Sequence, residues 1–243
     1  MPLGGKATTM KNSNLLVDPN ITLTQNLTQQ LGSDIVSRRF SEGQIIPFEQ
    51  ELCSHYQVSR TTMREAVKML TAKGLLSSRP KKGTTVLPKA DWNLYDPDVL
   101  HWIVKTSANG VLRKEIAQVR LAIEPEAAFL AATCRFDDDL VEMHSTLLVM
   151  KHKHTNCHGS KQNAENPQLD FYLNILNATH NAFYIQHMSL IRASHALTLA
   201  RFGETQPQGA EHLRQASVYA AIESSRPEQA RAELRELLLL NFV

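Results

Sequence analysis

Residues 59–74 admit few conformations. Met63, Ala66, Val67 and Leu70 recur at i, i+3, i+4 and i+7, the spacing that gives a helix one apolar face. Ser59 offers a hydroxyl to the first free backbone N–H groups, and Gly74 provides a stop. The opposite side starts with Arg60, Thr61, Thr62 and Arg64. A helix that buries one face and crowds two guanidinium groups into its first turns must sit on a small core with that end outward.

The flanks complete a recognisable order. An amphipathic helix fits residues 24–39, with Thr24 as its cap and Leu27, Leu31, Ile35 and Val36 in register. Residues 41–44 turn into the apolar pair Ile45 and Ile46, and Pro47 and Phe48 open a second helix that runs to about Tyr56. After Gly74, residues 75–78 and 84–87 are short β-type runs around Arg79, Pro80, Lys81, Lys82 and Gly83, a hairpin with a basic tip. Three helices and such a hairpin within about 65 residues describe a winged helix-turn-helix.

Charge divides the chain in the same place. Residues 1–90 carry 12 Lys and Arg against 6 Asp and Glu, whereas residues 91–243 carry 14 against 18. A basic first third on a mildly acidic remainder suits a nucleic-acid module joined to something else. Recognition helices enter the major groove N-terminus first, so base and phosphate contacts belong to Arg60, Thr61, Thr62 and Arg64. Arg60 and Arg64 suit bidentate pairing with guanine or a phosphate clamp. Lys81 and Lys82 at the hairpin tip, beside Gly83, would lie over the backbone or minor groove and add affinity more than sequence choice.

Residues 88–97 form a polar connector with a proline at each end. Beyond it only Gly110, Gly159, Gly203 and Gly209 occur. Leu- and Ala-rich segments of helical period fill 99–107, 111–133, 137–151, 167–178, 182–201, 209–225 and 227–240, with Pro125 expected to break or kink the second. Segment 152–166 reads as a loop. The fold class expected is mainly α: a polar, disordered leader at 1–20, a winged helix-turn-helix with a small hairpin wing at 21–88, a linker at 89–98, and an all-helical effector-binding and dimerisation domain at 99–243. There is no run of ~18 apolar residues and no apolar secretory core near the start. Cys53, Cys134 and Cys157 are few and widely spaced, as reduced thiols would be, so a cytoplasmic location is expected.

The stretch from Gly43 through Pro47 and Glu51 to Leu52, then Val58, Ser59, Arg60, Thr61, Thr62, Met63, Arg64, Glu65 and Ala66, then Leu70, Gly74 and Leu75, resembles the DNA reader of the GntR family. The resemblance covers about residues 24–87. It implies DNA contacts from Arg60 and Arg64, with Ser59, Thr61 and Thr62 on phosphates. It also implies an operator contact from position 50, commonly Arg in the family and Gln50 here, which brings no charge.

The second half resembles the FadR-type C-terminal ligand-binding domain of the same family. Its carriers are Glu115 to Arg120, Ile123 to Ala128, Phe171 and Tyr172 followed by Ala178 to Asn181, and Gln215 to Ile222 followed by Pro227 to Ala230. The run from Asp91 to Trp102 is similar to the linker of sugar-acid operon regulators of the galactonate type. Many relatives hold a divalent metal through an Asp, a His one turn later and two further His. Counted on this chain, those positions fall on Gln168, Tyr172, Gln215 and Leu237. An amide, a phenol and an aliphatic chain are poor substitutes for carboxylate and imidazole, so no metal or other cofactor is expected; the alternative is a divalent metal in a shifted register, for which Asp170 and His212 are the nearest donors. Gln168, Tyr172 and Gln215 would instead hydrogen-bond sugar hydroxyls, or are polar residues beside a packed core. Arg120 matches the family's pocket arginine. It would clamp a ligand carboxylate, pair with Glu124 at i+4, or do both.

Other signals carry less. His152, His154, Cys157 and His158 lie in the expected loop without a partner motif, Asp137 to Asp139 suit a helix start, and His195 reads as a packed or solvated side chain. No nucleophile elbow, phosphate loop or zinc-protease motif occurs. The function expected is a homodimeric, operator-binding transcription repressor of a carbohydrate or sugar-acid operon, released by an acidic metabolite. A DNA-binding dimer without effector is the alternative, and a metal-dependent enzyme is a third reading.

Overall fold

Thr22, two residues earlier than expected, caps the first helix. Its hydroxyl accepts from the Gln25 backbone at 3.2 Å while the Gln25 side chain takes the Thr22 N–H at 2.8 Å, a reciprocal box that position 24 cannot form. The structure is a computed structural model and describes residues 21–79, 82–106, 110–155, 166–202 and 208–242. The segment 1–20 expected as a leader lies outside these residues. The chain divides into two compact units, residues 1–106 and 107–243.

In the first unit α1 (Leu23–Val36) and α2 (Glu49–Tyr56) pack on α3 (Arg60–Ala72), and the antiparallel strands β1 (Leu76–Arg79) and β2 (Gly83–Val86) follow. Leu27, Leu31, Leu52, Tyr56, Met63, Ala66, Leu70 and Leu76 form its buried centre. The strands pair Leu76 with Val86 and Arg79 with Gly83. Ile45 adds a bridge to Thr85, and Ile46 N donates to Thr84 O at 2.9 Å, so the short apolar pair becomes a third edge of the wing.

Gly74 closes α3 with a φ of +79°, and a β-carbon there would stand 2.3 Å from the Asp91 carbonyl oxygen. Gly74→Ala should therefore lower stability by about 1–2 kcal/mol or more from the left-handed backbone alone. Denaturant unfolding would show this as a lower midpoint at unchanged slope.

The unit also contains α4 (Pro97–Thr106), which packs on α1. The division thus falls after residue 106, later than the 89–98 connector expected from the prolines. Trp102 is 1% exposed, and its ring lies where a β-carbon on Gly32 would be, at 2.3 Å. Its indole Nε1 donates to Gln29 Oε1 at 2.7 Å, Gln29 Nε2 donates to Asp98 at 2.8 Å, and Lys73 bridges Asp96 and Asp98 at 2.8 Å each. Helical period announced α4 correctly; it could not say which core would receive it.

The second unit is helical among its described residues: α5 (Gly110–Cys134), α6 (Asp137–Thr155), α7 (Pro167–Asn177), the short α8 (Ala182–Ile185), α9 (Met188–Phe202), α10 (Gln208–Glu223) and α11 (Pro227–Phe242). α5 runs through Pro125 as one helix, against the break that was one of the two outcomes expected there. A proline inside a helix costs about 3 kcal/mol. Here Pro125 is buried with Glu124, Ala127 and Ala128 on the helix that packs most extensively on α11, and that packing offsets the lost hydrogen bond. α6 continues to Thr155, into the segment expected to be a loop, while Cys157 and His158 lie outside the described residues. Leu147, Phe171, Leu176, Val218, Ile222, Leu234 and Leu237 belong to the shared core. Among the described residues Cys53 and Cys134 are free thiols, and no helix is long and apolar enough to cross a membrane.

Candidate DNA interface and ligand site

The start of α3 is built from its cap outward. Ser59 Oγ accepts from the Thr62 backbone N–H at 3.1 Å and its hydroxyl lies 2.8 Å from Thr62 Oγ1. Removing this cap, as in Ser59→Ala, should cost about 1 kcal/mol in thermal or denaturant unfolding. Met63, Ala66 and Leu70 are fully buried and hold the helix down, with Val67 half-buried beside them. Arg60, Thr61 and Arg64 are exposed on the other side, and Thr62 is half-buried. Sequence reasoning placed these residues together, and the geometry presents both guanidinium groups at the same helix end.

Glu49 was missed. From the first turn of α2 its carboxylate accepts from Arg64 Nε at 3.0 Å, with the Arg64 side chain 67% exposed. An exposed ion pair contributes about 0–1 kcal/mol, so the contact orients Arg64 without burying it. The pair is separated by 15 residues and by a turn, which no helical spacing rule detects. Gln50, next along α2, is exposed, as are Lys82 and Arg79 on the wing. Gly83 opens β2 at φ +86°, and a β-carbon there would stand 3.0 Å from the Ile45 side chain. Lys81 lies outside the described residues. A surface that combines a helix N-terminus, two arginines and a basic hairpin can hold phosphates while offering forked donors to base edges.

A polar cluster lies inside the second unit. Arg120 on α5 is 5% exposed and Glu124, one turn on, 1%. The guanidinium Nε and Nη2 edge is bound bidentately by the Glu124 carboxylate, Nη2 to Oε2 at 2.9 Å, while Nη1 donates to Ser194 Oγ of α9 at 2.9 Å. Of the roles expected for Arg120, the structure thus contains the pairing with Glu124. Burial pulls the guanidinium pKa down, but Glu124 overrides it and holds the arginine above its ordinary value. The ring of Tyr172 on α7 lies 5.0 Å from the guanidinium carbon, and its hydroxyl donates to Glu211 Oε1 of α10 at 3.3 Å. Burial, then the charge of Glu211, push the Tyr172 phenol well above its usual range.

Gln215 is fully buried on α10, one turn beyond Glu211, and among the described residues neither its amide oxygen nor its amide nitrogen has a hydrogen-bond partner. Gln168 is half-buried one turn before Tyr172. His195, read from the sequence as an ordinary side chain, faces Asn166. The Asn166 oxygen already accepts from the Leu169 N–H, so its amide nitrogen donates to His195 Nε2 and fixes a neutral ring. Burial and then the charge of Arg120 push the pKa values of both His195 and His187 down. Ser194, Glu211 and His187 had no sequence signal, because each comes from a different turn or helix.

The four positions on which the expected metal set falls offer poor donors in that register. Tyr172 is held as a neutral phenol, Leu237 has no donor atom and is fully buried, and two neutral amides complete the set. No group of three or more His, Cys, Asp or Glu suited to a metal occurs among the described residues.

A capped helix that presents two arginines beside a basic wing, on a chain whose other unit is a helical bundle with a buried polar cluster, has the architecture of a winged-helix regulator. Residues 115–239 match the FCD domain and residues 23–86 match the bacterial regulatory proteins of the gntR family; the chain belongs to the gntR-type regulators that carry an FCD domain. It is 33% identical over 124 residues to the galactonate operon transcriptional repressor of Escherichia coli K12, covering 51% of this chain and 54% of that one. It is 39% identical over 111 residues to the uncharacterized HTH-type transcriptional regulator YieP of the same organism, covering 46% and 48%. The chain thus spans about half the length of the curated relatives it matches. The structure of Lar, which controls the expression of the Listeria monocytogenes agr system, superposes with a TM-score of 0.57 at 16% identity, covering 91% of this chain and 95% of that one, and shows the fold.

Proposed function

We propose that this protein is a ligand-responsive transcription repressor that binds an operator as a cytoplasmic homodimer and controls the use of a carbohydrate or sugar acid. It performs no catalysis of its own. The observation that carries the reading is the exposed pair Arg60 and Arg64 on a helix start capped by Ser59. Thr61 and Thr62 would join Ser59 on phosphates, with Gln50 on a neighbouring base or phosphate. Lys81, Lys82 and Gly83 would follow the backbone. Two copies reading half-sites about 34 Å apart would supply the affinity that one small reader lacks. The relative named for a galactonate operon supports the class of pathway, and the polar cluster around Arg120, Tyr172 and Gln215 supports a small-molecule effector.

The test is a gel-shift titration of the full chain against the intergenic DNA upstream of its own and neighbouring genes, at fixed salt. The expected result is retardation of one fragment at concentrations at least about a thousandfold below those needed for unrelated DNA. Equal affinity for every fragment would sink the repressor reading.

A further inference from the structure

We infer that Glu49 determines operator specificity: it commits Arg64 to reading a guanine and turns the DNA backbone away from it, leaving phosphate contact to Arg60. This rests on the reading of the first unit as an operator reader. Both carboxylate oxygens of Glu49 lie against Arg64 Nε, Oε1 at 3.0 Å and Oε2 at 3.1 Å. The grip is on the inner nitrogen alone. The terminal nitrogens Nη1 and Nη2 make no hydrogen bond or ion pair among the described residues, on a side chain 67% exposed. Arg60 stands one turn earlier on the same side of α3, is exposed, and has no ion pair with a described residue.

The two arginines therefore differ in charge and in freedom. A phosphate is drawn to a guanidinium by charge, and at Arg64 it would meet a carboxylate of its own sign. At Arg60 nothing among the described residues opposes it. A guanine edge in the major groove is neutral and offers two acceptors, N7 and O6, to a guanidinium fork. It can take Nη1 and Nη2 end-on, on the side away from Glu49. A free arginine must also give up rotamer freedom to hold its fork in one plane. The contact at Nε removes part of that loss before DNA arrives. Glu49 can impose it because α2 is anchored in the core through Leu52 and Tyr56.

The carboxylate acts on wrong sites as well. Unrelated DNA binds through its phosphates, so an anion beside Arg64 weakens that mode while sparing the base contact. An ion pair this exposed contributes little to folding, so its effect is felt in selectivity.

The experiment compares the wild-type full chain with Glu49→Gln, Glu49→Asp and Arg64→Lys in gel-shift titrations at several salt concentrations. The probes are the intergenic fragment that the wild type retards, an unrelated fragment of equal length, and the first fragment with single guanines replaced by 7-deazaguanine, which lacks N7. Glu49→Gln should bind unrelated DNA about tenfold more tightly, with a salt slope steeper by about one. Its ratio of specific to unrelated affinity should fall about tenfold or more. Glu49→Asp keeps the charge and loses reach, so unrelated DNA stays weak while specific affinity falls. Arg64→Lys keeps the charge and loses the fork, with the same outcome. One guanine in each half-site should cost the wild type about tenfold when replaced by 7-deazaguanine, and cost Arg64→Ala nothing.

An unchanged affinity ratio in Glu49→Gln, at an unchanged unfolding midpoint, would overturn the inference. So would specific binding retained by Arg64→Lys, or an operator in which no guanine N7 depends on Arg64. Where Glu49→Gln does not fold, the Arg64→Lys and 7-deazaguanine results decide. A wild type that binds every fragment equally removes the regulator reading and this inference together. A selective wild type whose variants select just as well removes the inference alone.

Discussion

Arg64→Ala should weaken binding to the specific operator by about 1–3 kcal/mol per reader, roughly tenfold for each 1.4 kcal/mol, and leave the fold unchanged. The two halves of this expectation come from the same geometry. Arg64 projects from the first turns of α3 with 67% of its side chain exposed, and its ion pair to Glu49 is itself at the surface. Such a pair contributes little to folding. In a major groove the same fork would be desolvated against a guanine or a phosphate, and its loss would be felt once per subunit. The variant should therefore keep its unfolding midpoint and its elution volume while specific affinity falls and affinity for unrelated DNA falls much less. Lys82→Ala supplies the contrast: it should weaken all sequences alike and reduce the salt slope by about one. An operator affinity unchanged by Arg64→Ala at fixed salt would remove α3 from the groove.

Trp102→Ala should destabilise the first unit by about 3–5 kcal/mol. Trp102 is 1% exposed, its ring occupies the face that Gly32 leaves open on α1, and its N–H is satisfied by Gln29. Truncation would leave a large void and free α4 from α1. Gly32→Ala attacks the same contact from the other side, placing a methyl group where the ring already is, and should cost about 1–3 kcal/mol by overpacking. The chain's two tryptophans, Trp92 and Trp102, both belong to the first unit, so tryptophan fluorescence reports on that unit alone in either variant. A lower denaturant midpoint by fluorescence, with the helical signal of the second unit retained to its own midpoint, is the expected pattern. A Trp102→Ala midpoint within ~0.5 kcal/mol of wild type, the range of ordinary surface substitutions, would show that α4 is not seated as described.

The DNA-reading half was legible because its signals are local. A cap, an apolar stripe, two arginines and a glycine stop all fall within 16 consecutive residues of α3 and its ends, and each constrains the same backbone. The partner of Arg64 was not legible, since Glu49 reaches it from another helix. In the second unit Arg120 and Glu124 could be paired from i+4 spacing, but Ser194, Glu211 and His187 converge on them only because α7, α9 and α10 meet α5 in space. Of the roles open to Arg120 from its spacing, the structure contains the bidentate pair with Glu124.

The amino-acid order by itself determined where helices and the wing form, which face of α3 is buried, and which end of it carries positive charge. Those outcomes follow from periodicity, capping and turn chemistry, which act over a few residues. Only the tertiary structure decided that α4 belongs with the reader, that α5 continues through Pro125, and that Ser194 and Tyr172 meet the guanidinium of Arg120. Each of these depends on which surface a side chain meets across tens of residues of sequence. Burial and pairing energies are set there, where local pattern carries no information.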